Sequence, residues 1–175
     1  MLAKPRYLVV DASVAASAGK SEHPESRYCR DFLLVMDESR HHIAMSIPVR
    51  EEWKRFAGSF ATEWYAEMVS RGRVRWVTAD ADKALRRKIG LASKNKAIVH
   101  LMLEDIHLIE AALKTHSTVA SKDDEARKAF AAASGAVAAL RAICWVNPAT
   151  ESESALQWLR AGARSTSRRT LKAFS

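Results

Sequence analysis

Short apolar runs of strand type alternate with segments of helical periodicity along nearly the whole chain, and this alternation constrains the fold more than any other feature. Strand-like runs occur at 7–10, 43–47, 74–77, 117–120 and 142–146. Between them, apolar residues recur at spacings of three and four over 27–37, 80–89, 97–113 and 122–133, the period of a helix with one buried face. A long helix is expected from Val49 to Val69, opened by Pro48, with Trp53, Phe56, Phe60 and Trp64 along one side. Gly90 is expected to end the helix before it, and a last helix starts at Glu151. Strands that alternate with helices pair most readily in parallel, with helices covering both faces. The expectation is a three-layer α/β/α sandwich around a central, mostly parallel sheet of about five strands.

At 175 residues, the chain has the length of one domain with a sizeable core. The division expected is a domain over 1–150 followed by a C-terminal helix and basic tail over 151–175. In that tail Arg160, Arg164, Arg168, Arg169 and Lys172 occur with no acid among them. It reads either as a phosphate-tracking segment or as a solvated end. Cys29 and Cys144 lie far apart and outside any metal-type pair, so both are read as reduced, buried thiols of a cytoplasmic protein. No apolar run is long enough to span a membrane. The net charge of +8 points to an anionic partner, of which nucleic acid is the commonest.

The stretch "YLVVDASVAASAGKS", 7–21, offers two sites for chemistry. Gly19-Lys20-Ser21 has the ending of a phosphate-binding loop, but the loop's first glycine would fall where the chain has Val14. A β-branched residue resists the positive φ that lets backbone wrap a phosphate. Gly19-Lys20-Ser21 is therefore read as a loop following the first strand. The left end places Asp11 directly after that strand, at the carboxyl edge where open α/β sheets bind ligands. Helix capping is the competing role for Asp11.

Further acids occupy related positions. Glu51 and Glu52 open the helix after the second strand; the helical period sets Glu52 at the edge of the inner face and Glu51 outward. Asp105 interrupts the apolar face formed by Ile98, Leu101, Met102, Ile109 and Ala112. A carboxylate aimed into a core costs several kcal/mol, roughly, unless something compensates it. Asp123 and Asp124 follow the fourth strand. Asp123 shares a face with Phe130, whereas Ser121 and Asp124 have the spacing of a capping box; Asp124 is kept as a possible extra ligand. His100 and His107 are read as partly buried or surface residues. All-oxygen ligands suit Mg²⁺ or Mn²⁺ rather than zinc. An acidic metal site in a basic protein fits cleavage of a polyanion's phosphodiesters.

The order and context of these acids resemble the PIN domain and, within it, the VapC-like toxin ribonucleases. The motifs are Val9-Val10-Asp11-Ala12-Ser13, Val49-Arg50-Glu51-Glu52-Trp53, Asp105-Ile106-His107-Leu108-Ile109-Glu110-Ala111-Ala112-Leu113 and Ser121-Lys122-Asp123. The resemblance covers about 7–148. It implies a metal-dependent endoribonuclease in which Asp11, Glu52, Asp105 and Asp123 hold one or two Mg²⁺ or Mn²⁺ ions, supported by the hydroxyls of Ser13 and Ser121. It implies products with 5′-phosphate and 3′-hydroxyl ends, an RNA substrate, an antitoxin protein as partner, and a homodimer. Three features depart from the family pattern: the aromatic residue after the last acid is delayed to Phe130, the helix holding Glu52 is long and aromatic, and a basic C-terminal segment is added. A non-catalytic module of the same fold, holding RNA or protein through its basic surface, is the alternative.

Overall fold

The computed structural model describes residues 4–78 and 80–175. Five strands form one sheet: β1 (Tyr7–Val10), β2 (His42–Met45), β3 (Val74–Trp76), β4 (Thr118–Ala120) and β5 (Cys144–Val146). Their spatial order is β3-β2-β1-β4-β5, and every pair is parallel. The central strands are apolar nearly throughout because helices cover both faces. Leu8, Val9, Val10, Ile43, Ala44, Met45, Val119 and Ala120 are fully buried.

Eight α-helices connect and flank the strands among the described residues: α1 (Ala12–Ser17), α2 (Pro24–Glu38), α3 (Ile47–Phe56), α4 (Ser59–Ser70), α5 (Lys83–Leu91), α6 (Lys96–Leu113), α7 (Asp124–Ala133) and α8 (Ala155–Arg160). The path runs outward from β1 through β2 to β3, then returns to β4 and continues to β5. Right-handed crossovers therefore place the helices of the outward and return paths on opposite faces. In keeping with this, α2 contacts α4 and α8, while α6 contacts α5 and α7. The result is the three-layer α/β/α architecture expected from the alternation. The connections leaving β1 and β4 diverge, so the carboxyl ends of these neighbouring strands flank a topological switch point.

The long helix expected over 49–69 is two helices. Ala57 and Gly58 are extended between α3 and α4, and Gly58 N–H donates to the Ala15 carbonyl at 3.3 Å. The break turns the aromatic stripe: Trp53 and Trp64 are buried, whereas Phe56 is 53% exposed. Gly90 does not stop its helix, which continues to Leu91; a glycine in a last turn costs helix propensity without forbidding the conformation. The last helix is also divided. A 3-10 turn at Glu151–Glu153 meets α8 at Ser154, whose φ is +48°.

The basic C-terminal segment is docked. Leu171 is fully buried and its N–H donates to Ile143 O at 2.9 Å; Thr170 bridges to Cys144. Arg169 lies over the Trp158 ring and Arg127 over Phe174. Burial lowers the Arg169 pKa. Of the two roles expected for the tail, a freely solvated end does not describe Arg169 or Leu171. Both cysteines are buried and unpaired, and burial pushes their thiols up to about 12 for Cys29 and about 11 for Cys144. No described helix is long and apolar enough to cross a membrane.

Candidate active site

Asp11 occupies the step from β1 into α1. It stands at the N-cap position, yet its side chain makes no capping bond. Instead its Oδ2 accepts hydrogen bonds from Ser13 Oγ at 2.5 Å and Ser121 Oγ at 2.7 Å. The Ser121 bond crosses from β1 to the residue after β4, so it spans the switch point. Ser13 Oγ in turn accepts from Lys122 N–H at 3.2 Å, and Ser121 Oγ from Asp123 N–H at 3.0 Å. These bonds fix Asp11, which is only 9% exposed, in one orientation. Both serine hydroxyls to which the resemblance gave a supporting role thus bond the same oxygen of Asp11.

The capping role expected of Asp124 falls to Asp123. Asp123 is the N-cap of α7: its Oδ1 accepts from Ala126 N–H at 2.8 Å. Asp124 does not complete a capping box with Ser121. Its Oδ1 pairs with Arg127 at 2.7 Å and accepts from Asn147 Nδ2 at 3.2 Å. The spacing rule fails here because Ser121 Oγ is already committed to Asp11 and Asp123. Capping consumes one oxygen of Asp123, and its charge still reaches Asp105.

Glu51 and Glu52 diverge as the period of α3 requires. Glu51 pairs with Lys54 in solvent at 2.9 Å. Glu52 turns inward, where its Oε2 accepts from His107 Nε2 at 2.9 Å. His107 is buried on α6, and its Nδ1 faces the Glu104 carbonyl oxygen at 3.0 Å. Both ring nitrogens thus face acceptors, an arrangement satisfied only when both carry protons. Burial is the largest influence and pulls the His107 pKa down; the Glu52 hydrogen bond and charge, with Asp105 and the Glu104 carbonyl, outweigh it and leave the pKa raised. His107 is the residue that sequence reasoning set aside. Helical spacing offered no signal for it, since residues two apart on a helix do not share a face; the contact with Glu52 comes from the packing of α3 on α6. His100 is exposed, 3.3 Å from Glu104.

Asp105 lies half-buried on α6 among these groups. Burial pushes its carboxyl up to about 7, and the charges of Asp11, Asp123 and Glu52 add to that, with His107 opposing. No hydrogen bond contributes to the shift. The other three acids chosen from the sequence, Asp11, Glu52 and Asp123, therefore lie within electrostatic reach of Asp105. Their side chains are not drawn into a cage: among the described residues, no three His, Cys, Asp or Glu side chains are grouped so as to hold an ion.

Lys122 borders the site. Its ammonium bonds Ser17 Oγ at 2.5 Å and pairs with Glu25. Burial lowers its pKa, and the nearby Asp11 charge opposes that. A cavity of about 640 Å³ opens elsewhere, between the start of β1 and the end of α8, lined by Lys4, Glu38, Arg40 and Arg160 among others. It lies at the amino ends of the strands, away from the acids and from the edge where open sheets bind ligands. Comparison with protein-family models, with curated proteins and with solved structures finds no match to this chain.

Proposed function

We propose that this protein is a metal-dependent endoribonuclease of PIN type, with Asp11, Glu52, Asp105 and Asp123 as the residues that hold Mg²⁺ or Mn²⁺. The observation that carries the reading is Asp105. It is half-buried, feels the charges of Asp11, Asp123 and Glu52, and among the described residues no hydrogen bond to its carboxyl accounts for its position. The donor set fits a hard divalent cation in kind: four carboxylates from four different elements, with no thiolate among them. When bound, the ion polarises a phosphoryl oxygen and lowers the pKa of a water.

The chain's own residues prepare that chemistry. Ser13 and Ser121 hold one oxygen of Asp11 and leave the other available. His107 holds one oxygen of Glu52 in the same way. Without a cation, burial and the neighbouring acids favour the protonated form of the Asp105 carboxyl. The surplus of basic residues across the chain, +8 in all, attracts the RNA polyanion to a site that is itself acidic.

The test is cleavage of a labelled RNA pool with Mn²⁺, with and without chelator, by the wild type and Asp105→Asn. The expected result is metal-dependent cutting by the wild type and a loss of at least about 100-fold in the variant, whose folded state is checked by circular dichroism. Equal cutting by both proteins overturns the assignment. RNA binding by both without cutting by either favours the non-catalytic module.

A further inference from the structure

The outermost strand of the sheet carries a half-exposed tryptophan. β3 is the outermost strand, and Trp76 is its last residue. In register it lies beside Met45, and Ala44, the residue before Met45, lies beside Val9. Continuing that register by one residue puts Trp76 in the same lateral row as Val10, immediately before Asp11. Val10 and Met45 are fully buried, yet Trp76 is 50% exposed and its neighbour Ile47 is 73% exposed. A cavity of about 320 Å³ opens between them, lined also by Val77, Thr78 and Asp80. Arg50, exposed on α3, sets its guanidinium 5.6 Å from the centroid of the indole ring.

We propose that Trp76 and Arg50 form a stacking subsite for an unpaired base of single-stranded RNA. The proposal rests on the nuclease reading in one respect: the strand held here is the one the acids would cut. Three features favour a base over another occupant. An indole presents a flat face on which any base can stack, and a guanidinium beside it adds a cation–π contact and a fork for phosphate. The position is close to the acids: β3 is two strands from β1, roughly 10 Å at the usual strand spacing. Finally, the edge is a poor surface for a second copy of the chain. β3 spans three residues and carries Arg75 beside Trp76; short, charged edge strands discourage sheet-to-sheet pairing.

The experiment measures binding of a fluorescein-labelled, unstructured single-stranded RNA, and of a duplex of the same sequence, by fluorescence anisotropy in EDTA. The proteins are the wild type, Trp76→Ala, Trp76→Phe and Arg50→Ala. The single strand is expected to bind Trp76→Ala roughly 5- to 150-fold more weakly than wild type, the range of one base–aromatic stack. Trp76→Phe restores most of that loss. Arg50→Ala weakens binding and reduces the salt dependence by about one ion. Duplex binding is unchanged by Trp76→Ala, because paired bases present no free face. The proposal is overturned if Trp76→Ala binds the single strand as tightly as wild type, if it loses both RNAs alike, if the wild type binds no RNA, or if sedimentation shows a wild-type dimer that Trp76→Ala dissociates. Parallel incubation with Mn²⁺ separates the two readings. Trp76-dependent binding without cleavage keeps the subsite and removes the nuclease; cleavage with Trp76-independent binding does the reverse.

Discussion

Asp105 has opposite consequences for stability and for chemistry, and both follow from its surroundings. Its carboxyl moves from 3.8 to about 7 on folding, first through burial and then through neighbouring acids. Between those values the metal-free native state holds more protons than the unfolded chain. Stability therefore falls as pH rises through that window, and the full cost is present above about pH 7. Asp105→Asn removes the charge. Chemical denaturation without metal should find the variant more stable than wild type by about 1–3 kcal/mol near pH 8, with the difference vanishing near pH 4. A variant that loses both activity and stability at pH 8 would make Asp105 a structural acid. His107 shows the converse sign. Its folded pKa is raised above 6.5 despite burial, because Glu52 and the Glu104 carbonyl both accept from the ring. Its pairing stabilises the fold fully below pH 6.5 and is lost as pH rises through the raised value. The stability gap between wild type and His107→Ala should therefore narrow as pH rises above 6.5, as read from denaturation midpoints over a pH series.

At the scale of elements, α7 separates two duties of one residue. Asp123 caps the helix through Ala126 N–H, and its charge faces the acid site. Asparagine can accept the same capping bond but carries no charge. Asp123→Asn should retain wild-type thermal stability within a few tenths of a kcal/mol, roughly, while Asp123→Ala costs about 1 kcal/mol. Both should lose metal-dependent cleavage. Equal stability of the two variants would remove the capping account, and residual cleavage in Asp123→Asn would remove the ligand account. The joint between α3 and α4 matters in a different way. Just before that joint, Trp53 Nε1–H donates to the Val10 carbonyl at 2.7 Å. That bond ties the helix bearing Glu52 to the strand that delivers Asp11.

For the whole molecule, charge is distributed against its total. A chain of net +8 gathers four acids at one end of its sheet. A cation that binds only the native arrangement stabilises it by RT ln(1 + [L]/Kd), about 2.7 kcal/mol at a hundred times Kd. Mg²⁺ should raise the thermal midpoint of the wild type near pH 8 and leave Asp105→Asn almost unmoved, as followed by differential scanning calorimetry. A rise of equal size in both proteins would place the ion elsewhere.

The sequence by itself determined the layers and the strand-end acids. Strand and helix periods are local, so the alternation of apolar runs was enough for a parallel sheet covered on both faces, and for Asp11 at a strand's carboxyl end. The opposed directions of Glu51 and Glu52 followed from helical angle alone. Only the tertiary structure decided what depends on contacts between distant segments. It chose Asp123 over Asp124 as the cap, because Ser121 had been taken by Asp11 from another strand. It divided the long aromatic helix, because Gly58 meets the backbone of α1. It made His107 a partner of Glu52, 55 residues away in the chain, and it left Trp76 in solvent by placing β3 at the sheet's edge. Periodicity records which face of an element is buried; it does not record which polar group, from which other element, will be waiting there.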